Sequence, residues 1–487
     1  MFSNPSVFGF RCIKAGVFSF GLLGSAIIST STALAADWIF TPYVGIREAY
    51  TDNVLSTATN TESDFLTTLS AGFTIDGIGN RLNLRGSYDG AYDKYVDTSE
   101  LDGFRNSLLG SANAELVEDH FFLDGQIAYT AEDLSTTGGG SSAIDRTLSS
   151  EQTQVLNYSI SPYYVQRFGG TAVGIARYRF SQVSFDETDV GGATSNPGTE
   201  TTNEVNLILE SGRDFSRTSW TLEAFGVDTD VEDGDDLKRG TFVAGGQYSI
   251  NRNVALLGIT GYDEFDGENI DNDELSGAFI GAGVRLTPGP RTDLSLGYGY
   301  RYGEAIWNMD FSYIVSSAAI LTASYFVDVG TGGQAYTNRD VLDEDGELIN
   351  TNFSNTDFVG TTAKVETFDI GLTGTRGLNS YRAGGAYEKR DFLTSNTNDE
   401  TVSVFGRYSR ELSPKLGASI DGSWSKVIEP ETPGTAETTI RAGASLNYRF
   451  GHNFTGSLAY NYYDRDADIT ADNIRENAIS VSLNKSF

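Results

Sequence analysis

Residues 440–450 read IRAGASLNYRF, and their side chains alternate between two kinds. The even-numbered positions from Ile440 to Phe450 are apolar or aromatic, whereas the odd-numbered positions carry arginine or small and polar residues. Successive side chains of a β-strand point to opposite faces, so this alternation predicts a strand with one apolar face. The run is also longer than the usual strand of about five or six residues.

The same alternation recurs along the chain after Tyr43, for example over residues 294–302. The connections between these runs are alternately short and long, and aromatic residues gather near the ends of the runs. Short turns on one side, longer loops on the other and aromatic girdles are typical of outer-membrane barrels. The sequence therefore predicts an all-β fold, a transmembrane antiparallel up-and-down β-barrel of the bacterial outer membrane with about 22 strands, in a range of about 18–22.

The first 36 residues differ from the rest of the chain. Arg11 and Lys14 precede an apolar stretch at residues 15–30, and Ala33-Leu34-Ala35 supplies the small residues of a cleavage site. This pattern predicts a cleaved signal peptide over residues 1–36 and a single barrel domain over residues 37–487. A retained membrane anchor is the less favoured alternative, because the apolar stretch is shorter than a span of about 20 residues. The expected location is the bacterial outer membrane, after export through the periplasm.

The charge of the chain excludes one class of partner. Its 66 acidic and 34 basic residues give a net charge of −32, and loss of Arg11 and Lys14 with the leader lowers it to −34. Phosphate recognition needs clustered lysine and arginine, so nucleic acid is not an expected partner. The single cysteine, Cys12, lies in the leader, and the mature chain has no disulfide framework available.

The sequence also contains few residues that could support catalysis or bind a cofactor. The two histidines, His120 and His452, fall in predicted short turns on the periplasmic side, so neither shares a site with the outer loops. We expect no enzyme activity, no catalytic residue and no zinc or haem site. The acidic outer connections at residues 230–236, 263–268 and 343–347 suit weak Ca²⁺ or Mg²⁺ binding at most, and solvated loops are the favoured interpretation.

Charged residues on the second face of the strands are predicted to line the lumen. An arginine facing hydrocarbon costs about 2–4 kcal/mol at mid-depth, so the inward assignment has a strong physical basis. Two roles stay open: guiding anionic solutes through bidentate hydrogen bonds, or bracing the barrel through pairs with acidic residues, which is the favoured role. The predicted lumen arginines are Arg85, Arg177, Arg179, Arg285, Arg301, Arg382, Arg407, Arg441 and Arg449.

The last strand carries a candidate assembly signal. Ile479, Val481, Leu483 and the terminal Phe487 share one face, which is similar to the terminal strand that the outer-membrane barrel assembly machinery recognises. Lys485 departs from that pattern, in which an apolar or aromatic residue is usual. The expected partners are therefore this assembly machinery together with outer-membrane lipid and lipopolysaccharide.

A family resemblance rests on both ends of the mature chain. Residues 41–54 read TPYVGIREAYTDNV, and Ser63-Asp64-Phe65 follows them. With residues 446–450, 459–462 and Glu476-Asn477 near the C-terminus, this segment resembles the beta-barrel porin type 2 family. That resemblance implies an outer-membrane barrel associated with exopolysaccharide or capsule synthesis, and it implies no catalytic site.

Three functions remain open at this point. The leading hypothesis is a pore that exports an extracellular polysaccharide with periplasmic export proteins as partners. The alternatives are a diffusion porin, general or substrate-specific, for small polar solutes, and a structural or adhesive surface barrel with a plugged lumen. A fold does not determine a function, so the sequence alone does not separate them.

Overall fold

The computed structural model describes residues 37–133, 143–144, 152–185, 198–232, 234, 236–267, 270, 275–337, 361–395, 397–430 and 434–487. The predicted signal peptide lies outside these ranges. The strands are β1 (Asp37–Thr51), β2 (Asp64–Ile78), β3 (Leu82–Tyr95), β4 (Gly103–Val117), β5 (Phe121–Asp133), β6 (Gln152–Phe168), β7 (Ala172–Phe185), β8 (Glu200–Ser211), β9 (Thr218–Val231), β10 (Leu237–Ser249), β11 (Val254–Gly267), β12 (Gly277–Gly289), β13 (Thr292–Arg301), β14 (Glu304–Ser316), β15 (Ala319–Thr331), β16 (Thr362–Arg376), β17 (Asn379–Phe392), β18 (Thr397–Ser413), β19 (Leu416–Glu429), β20 (Glu437–Arg449), β21 (Phe454–Ala467) and β22 (Ile474–Ser486). The α-helix α1 is Gly332–Thr337, and two 3₁₀ helices are Ser99–Leu101 and Thr470–Asp472.

The strands form one closed sheet. Each strand pairs in antiparallel fashion with the next in sequence, and β22 returns to β1 from Tyr43↔Ser486 to Thr51↔Ala478. This arrangement confirms the predicted antiparallel barrel and its 22 strands. Short turns join the strands at the end that holds Asp37 and Phe487, here called the turn end, and the longer connections lie at the opposite, outer end.

The two faces of the wall follow the sequence alternation. On β20, Ile440 and Leu446 are exposed on the outside of the barrel, as is Phe450 just beyond the strand, while the alternate positions point into the lumen. On β22, Ile479, Val481 and Leu483 are exposed in the same way, and Phe487 beyond the strand is 64% exposed. Among the described residues, no helix is long and apolar enough to cross a membrane.

Glycine pairs produce a close approach of β12 and β13 on the lumen side. Gly281 lies opposite Gly299, and Gly283 lies opposite Gly297. A Cβ atom built at Gly299 would lie 2.5 Å from the backbone oxygen of Ile280 and 2.8 Å from the Cα of Gly281. Only a residue without a side chain fits at this position without a backbone shift.

We expect Gly299→Ala to lower the free energy of unfolding by about 1–3 kcal/mol, because the added methyl group overpacks the inner wall. Urea unfolding of the refolded barrel in detergent micelles measures the effect. Gly258→Ala on neighbouring β11 is the control, since its Cβ would meet nothing within 4 Å. Equal stability of the two variants would contradict this account of the wall.

Residues 51–53, which belong to the N-terminal segment of the family resemblance, help to close the barrel. Both carboxylate oxygens of Asp52 accept hydrogen bonds from Asn477, one from its backbone N–H at 2.7 Å and one from its side-chain amide at 2.8 Å. On the lumen side, the Thr51 hydroxyl donates to Glu476, which is fully buried, at 2.5 Å. Asn53 donates to the backbone oxygen of Arg475 at 3.1 Å. These contacts, here called the rim clasp, extend the β1–β22 pairing beyond its last ladder position.

Asp64, in the second part of this N-terminal segment, anchors the connection between β3 and β4. The Asp64 carboxylate accepts hydrogen bonds from the backbone N–H groups of Phe65, Asp97 and Thr98 and from the Thr98 hydroxyl. These hydrogen bonds hold the connection that follows Tyr95 against the outer end of β2.

We expect Asp52→Ala to destabilise the barrel by about 1.5–3 kcal/mol, because it removes hydrogen bonds to a charged acceptor at the closing seam. The temperature at which the folded band converts on a heat-modifiability gel reports the change. Asp266→Ala is the matched control, since Asp266 is exposed at the outer end of β11, away from the seam. An unchanged conversion temperature for Asp52→Ala would show that the ladder alone closes the barrel.

Candidate functional site in the barrel lumen

Five of the nine predicted lumen arginines form ion pairs with acidic residues. One pair joins Arg301 on β13 to Asp263 on β11, through two hydrogen bonds of 2.7 and 2.9 Å. Three further pairs join neighbouring strands: Arg85–Asp76 at 3.1 Å, Arg179–Glu204 at 3.8 Å and Arg285–Asp293 at 2.5 Å. The fifth, Arg177–Asp124 at 3.2 Å, joins β7 to β5 across β6. These pairs have the geometry that the bracing interpretation requires.

The other four arginines are on β17, β18 and β20. Arg382 lies over the Phe405 ring at 5.5 Å, and Arg441 lies over the Tyr463 ring at 5.2 Å. Arg407 and Arg449 form no ion pair with any described residue. Arg382 and Arg407 are directly opposite each other, a like-charge arrangement that costs stability in a sheet.

Arg407 and Arg449 border the same cavity near the turn end. The cavity has a volume of about 230 Å³, and Ser409, Ser419 and Asn447 contribute hydrogen-bonding groups to its lining. A guanidinium group without an acidic partner, beside hydroxyl and amide groups, suits an anionic or hydroxylated solute. We call Arg382, Arg407 and Arg449 the open arginines.

Residues 329–356 read as a polar outer loop, but the described part of this stretch, residues 329–337, reaches across the lumen. In this part β15 continues to Thr331 and α1 follows it. The Thr331 hydroxyl and the Gly333 N–H both donate to the carboxylate of Glu200 on β8, the latter at 3.0 Å. Glu200 is 2% exposed, and these two hydrogen bonds stabilise its buried charge.

Further contacts fix α1 to the same part of the wall. The Gln334 side chain donates to the Thr229 hydroxyl on β9 at 2.6 Å, and Arg179 on β7 donates to the backbone oxygen of Thr337 at 2.5 Å. Because β15 is seven strands away from β8, these bonds join two distant parts of the wall through the lumen. We call residues 331–337 the crossing segment, and it narrows the passage at this level.

A second connection also reaches the lumen wall. Ala143, between β5 and β6, donates its backbone N–H to Glu476 at 2.9 Å, on the lumen side of the rim clasp. Ile144 is 7% exposed and packs with Ala49, Leu66 and other buried side chains of the first and last strands. This contact narrows the outer opening from another side.

The structure describes only some residues of the remaining predicted sites. His120 lies at the turn end and its Nδ1 approaches the Val165 oxygen at 3.1 Å, and His452 lies in the turn between β20 and β21. No group of three or more histidine, cysteine or acidic side chains suited to a metal ion occurs in the described part of the chain. The acidic run at 343–347, and Asp233, Asp235 and Glu268 of the other two runs, lie outside the described residues.

Comparison with known proteins supports the fold. No protein-family model and no curated protein sequence matches this chain. Among solved structures, the FrpB iron transporter from Neisseria meningitidis in its F5-1 apoprotein form matches with a TM-score of 0.52 and 11% identity, covering 92% of this chain and 81% of that one. Its F3-3 variant matches with a TM-score of 0.50 and 12% identity, covering 92% and 81%.

This chain is a closed 22-strand β-barrel of the outer-membrane type. Identities of 11–12% show a shared fold and nothing about substrate. The resemblance to the beta-barrel porin type 2 family and the assembly role of Ile479, Val481, Leu483 and Phe487 therefore stay predictions.

The open arginines predict the ion selectivity of the lumen. We expect the double variant Arg407→Gln with Arg449→Gln to shift selectivity toward cations by roughly two- to fivefold, because one charge at about 4–8 Å in water contributes about 0.5–1 kcal/mol. Reversal potentials in planar bilayers measure the shift. Arg285→Gln with Asp293→Asn is the control, since it removes a whole ion pair and leaves the net charge unchanged. Unchanged selectivity in the first variant would place the conducting path away from these arginines.

Proposed function

We propose that this protein is an outer-membrane channel for small polar solutes, anions included, whose passage is limited by the crossing segment. The barrel supplies the route through the membrane and the crossing segment narrows it. The observation that carries the proposal is the attachment of Thr331 and Gly333 to Glu200, seven strands away. A lumen narrowed in this way suits small solutes better than a polymer.

The open arginines provide the solute contacts in this proposal. Arg407 and Arg449 border the polar cavity toward the turn end, beside hydroxyl and amide groups, and Arg382 lies opposite Arg407 on the neighbouring strand. An anion that passes the acidic outer connections would meet three guanidinium groups there, and none of the three forms an ion pair with a described residue. Outer-membrane lipid, lipopolysaccharide and the barrel assembly machinery are the partners that this location requires.

Export of an extracellular polysaccharide is the second candidate, favoured by the same open arginines and by the family-like motif. A polymer needs an unbroken passage, so this function requires the crossing segment to leave the lumen. Deletion of the gene separates the two: loss of secreted polysaccharide supports export, whereas slower uptake of a small anion with unchanged polysaccharide supports the solute channel.

Release of the crossing segment tests the proposal directly. Glu200→Ala removes the acceptor of the Thr331 and Gly333 hydrogen bonds, and we expect a higher single-channel conductance in planar bilayers, on the order of twofold. The lost bonds to a charged acceptor are worth about 1.5–3 kcal/mol each, enough to populate a released state.

Glu210→Ala is the matched control for the change in charge. Glu210 is on the same strand and the same face as Glu200, and it is exposed. Conductance that rises equally in both variants would show an electrostatic effect and not release of the segment. A barrel that conducts in neither the parent nor the Glu200→Ala form would contradict the channel and favour a structural, plugged barrel.

A further inference from the structure

The wall of the barrel divides between β14 and β15. Their ladder extends from Ser316↔Ala319 to Met309↔Tyr325 and ends there. Beyond that point β14 continues to Glu304 in pairing with β13, and β15 continues to Thr331 in pairing with β16. In this fully described region, the two strands thus form a fork about five residues long, roughly 16 Å at 3.3 Å per residue.

The fork opens at the level of the membrane interface. Trp307, on the β14 arm, is 59% exposed on the lipid side and contacts the ring of Tyr298 at a centroid distance of 4.7 Å. Tryptophan and tyrosine on the outer face of a barrel are enriched where hydrocarbon meets the headgroups. An opening beside them therefore borders the lipid and not bulk water.

A cavity lies directly behind the fork. It has a volume of about 390 Å³, and both arms border it, β14 through Ile306, Trp307 and Asn308 and β15 through Val327. Its lining is mostly apolar, and the volume lies within the range of about 300–1,000 Å³ that is usual for ligand sites.

The inner wall of this cavity is smooth. The opposed glycines of β12 and β13 and Ile259 of β11 line it, together with Arg301 at one edge. Glycine leaves no side chain to obstruct a long flexible chain. Arg301 is held by Asp263, so the cavity has no strong charge of its own to attract an ion.

The outer end of the fork is closed by an ion pair. Lys364 on β16 contacts Glu304 on β14 at 2.8 Å, which joins the β14 arm to the strand that pairs with the β15 arm. Arg239 on β10 also donates to the backbone oxygen of Val329 at 2.8 Å and holds the β15 arm inward. The opening between the β14 and β15 arms therefore faces the membrane and not the outside medium.

We propose that the fork is a side entrance through which an acyl chain of an outer-membrane lipid enters this cavity. The inference rests on the proposed location in the outer membrane, but it does not depend on which solute the lumen conducts. Apolar surface on both arms, an opening at the interface and a cavity without free charge are what a hydrocarbon chain requires.

Short-range fluorescence quenching tests the entry of a chain. In a Cys12→Ser background the chain has no cysteine, so single-cysteine labels are specific. The Ile259→Cys variant, labelled with bimane, is placed in phosphatidylcholine vesicles with brominated acyl chains. We expect its emission to be quenched nearly as strongly as that of a label at lipid-facing Ile420→Cys, while a label at lumen-facing Ser445→Cys keeps its emission.

A cavity-filling variant completes the test. A Cβ at Gly297 would lie 3.7 Å from the Asn308 Cβ, an ordinary contact, so Gly297→Leu fills the cavity without forcing the backbone. Quenching at the Ile259→Cys label should then fall at least threefold. Gly371→Leu is the control, a lumen glycine away from the cavity whose Cβ would lie 3.5 Å from Thr322.

Three results would overturn the proposal. The first is an unquenched Ile259→Cys label beside a quenched Ile420→Cys label, which refutes the side entrance and leaves the membrane location intact. The second is quenching that Gly297→Leu does not reduce. The third is an unquenched Ile420→Cys label, which refutes the membrane location and the entrance together.

Discussion

Backbone hydrogen bonding is the constraint on which the rest of this structure depends. Hydrocarbon offers no partner for an N–H or C=O group, so a sheet in a membrane has to close on itself. Here closure falls to β1 and β22, the two strands that are farthest apart in the chain. The rim clasp adds side-chain contacts at the outer end of this seam, where Asp52 and Glu476 accept hydrogen bonds from the opposite strand or from its neighbours. Long-range closure of this kind is slow in folding, because the ends of a long chain have to meet before the contacts form.

Charged side chains inside the barrel are subject to a similar need for partners. A charged side chain in a narrow lumen is tolerated where it pairs with an opposite charge one or two strands away, as Arg301 on β13 does with Asp263 on β11. Arg407 and Arg449 form no ion pair with a described residue, although Asp421 lies opposite Arg407 in the ladder, and the wall there borders a polar cavity. Structural and solute-facing arginines therefore differ in whether an acidic side chain contacts the guanidinium group.

The sequence predicted the barrel and its strand number because a period of two is imposed at every position of every strand. Strand parity also leads to the prediction that residues such as Arg301 and Arg441 face the lumen, and this assignment stays a prediction. The sequence did not predict the crossing segment. Thr331 and Gly333 lie in a polar stretch without periodicity, and their partner Glu200 is more than a hundred residues away. The sequence also did not predict which acidic residue pairs with each arginine. That pairing depends on the register between neighbouring strands, and a slip of one residue would change every partner.

The rim of the barrel is uneven. β13 has 10 residues, whereas β2 and β16 each have 15, and β13 and β14 are joined by the tight connection at Tyr302 and Gly303. Five residues correspond to roughly 16 Å along a strand. Because β13 and β14 end at this tight connection, the wall has a notch at their outer ends. A large molecule that approaches along the cell surface would meet the wall at a lower height there than at β2 or β16.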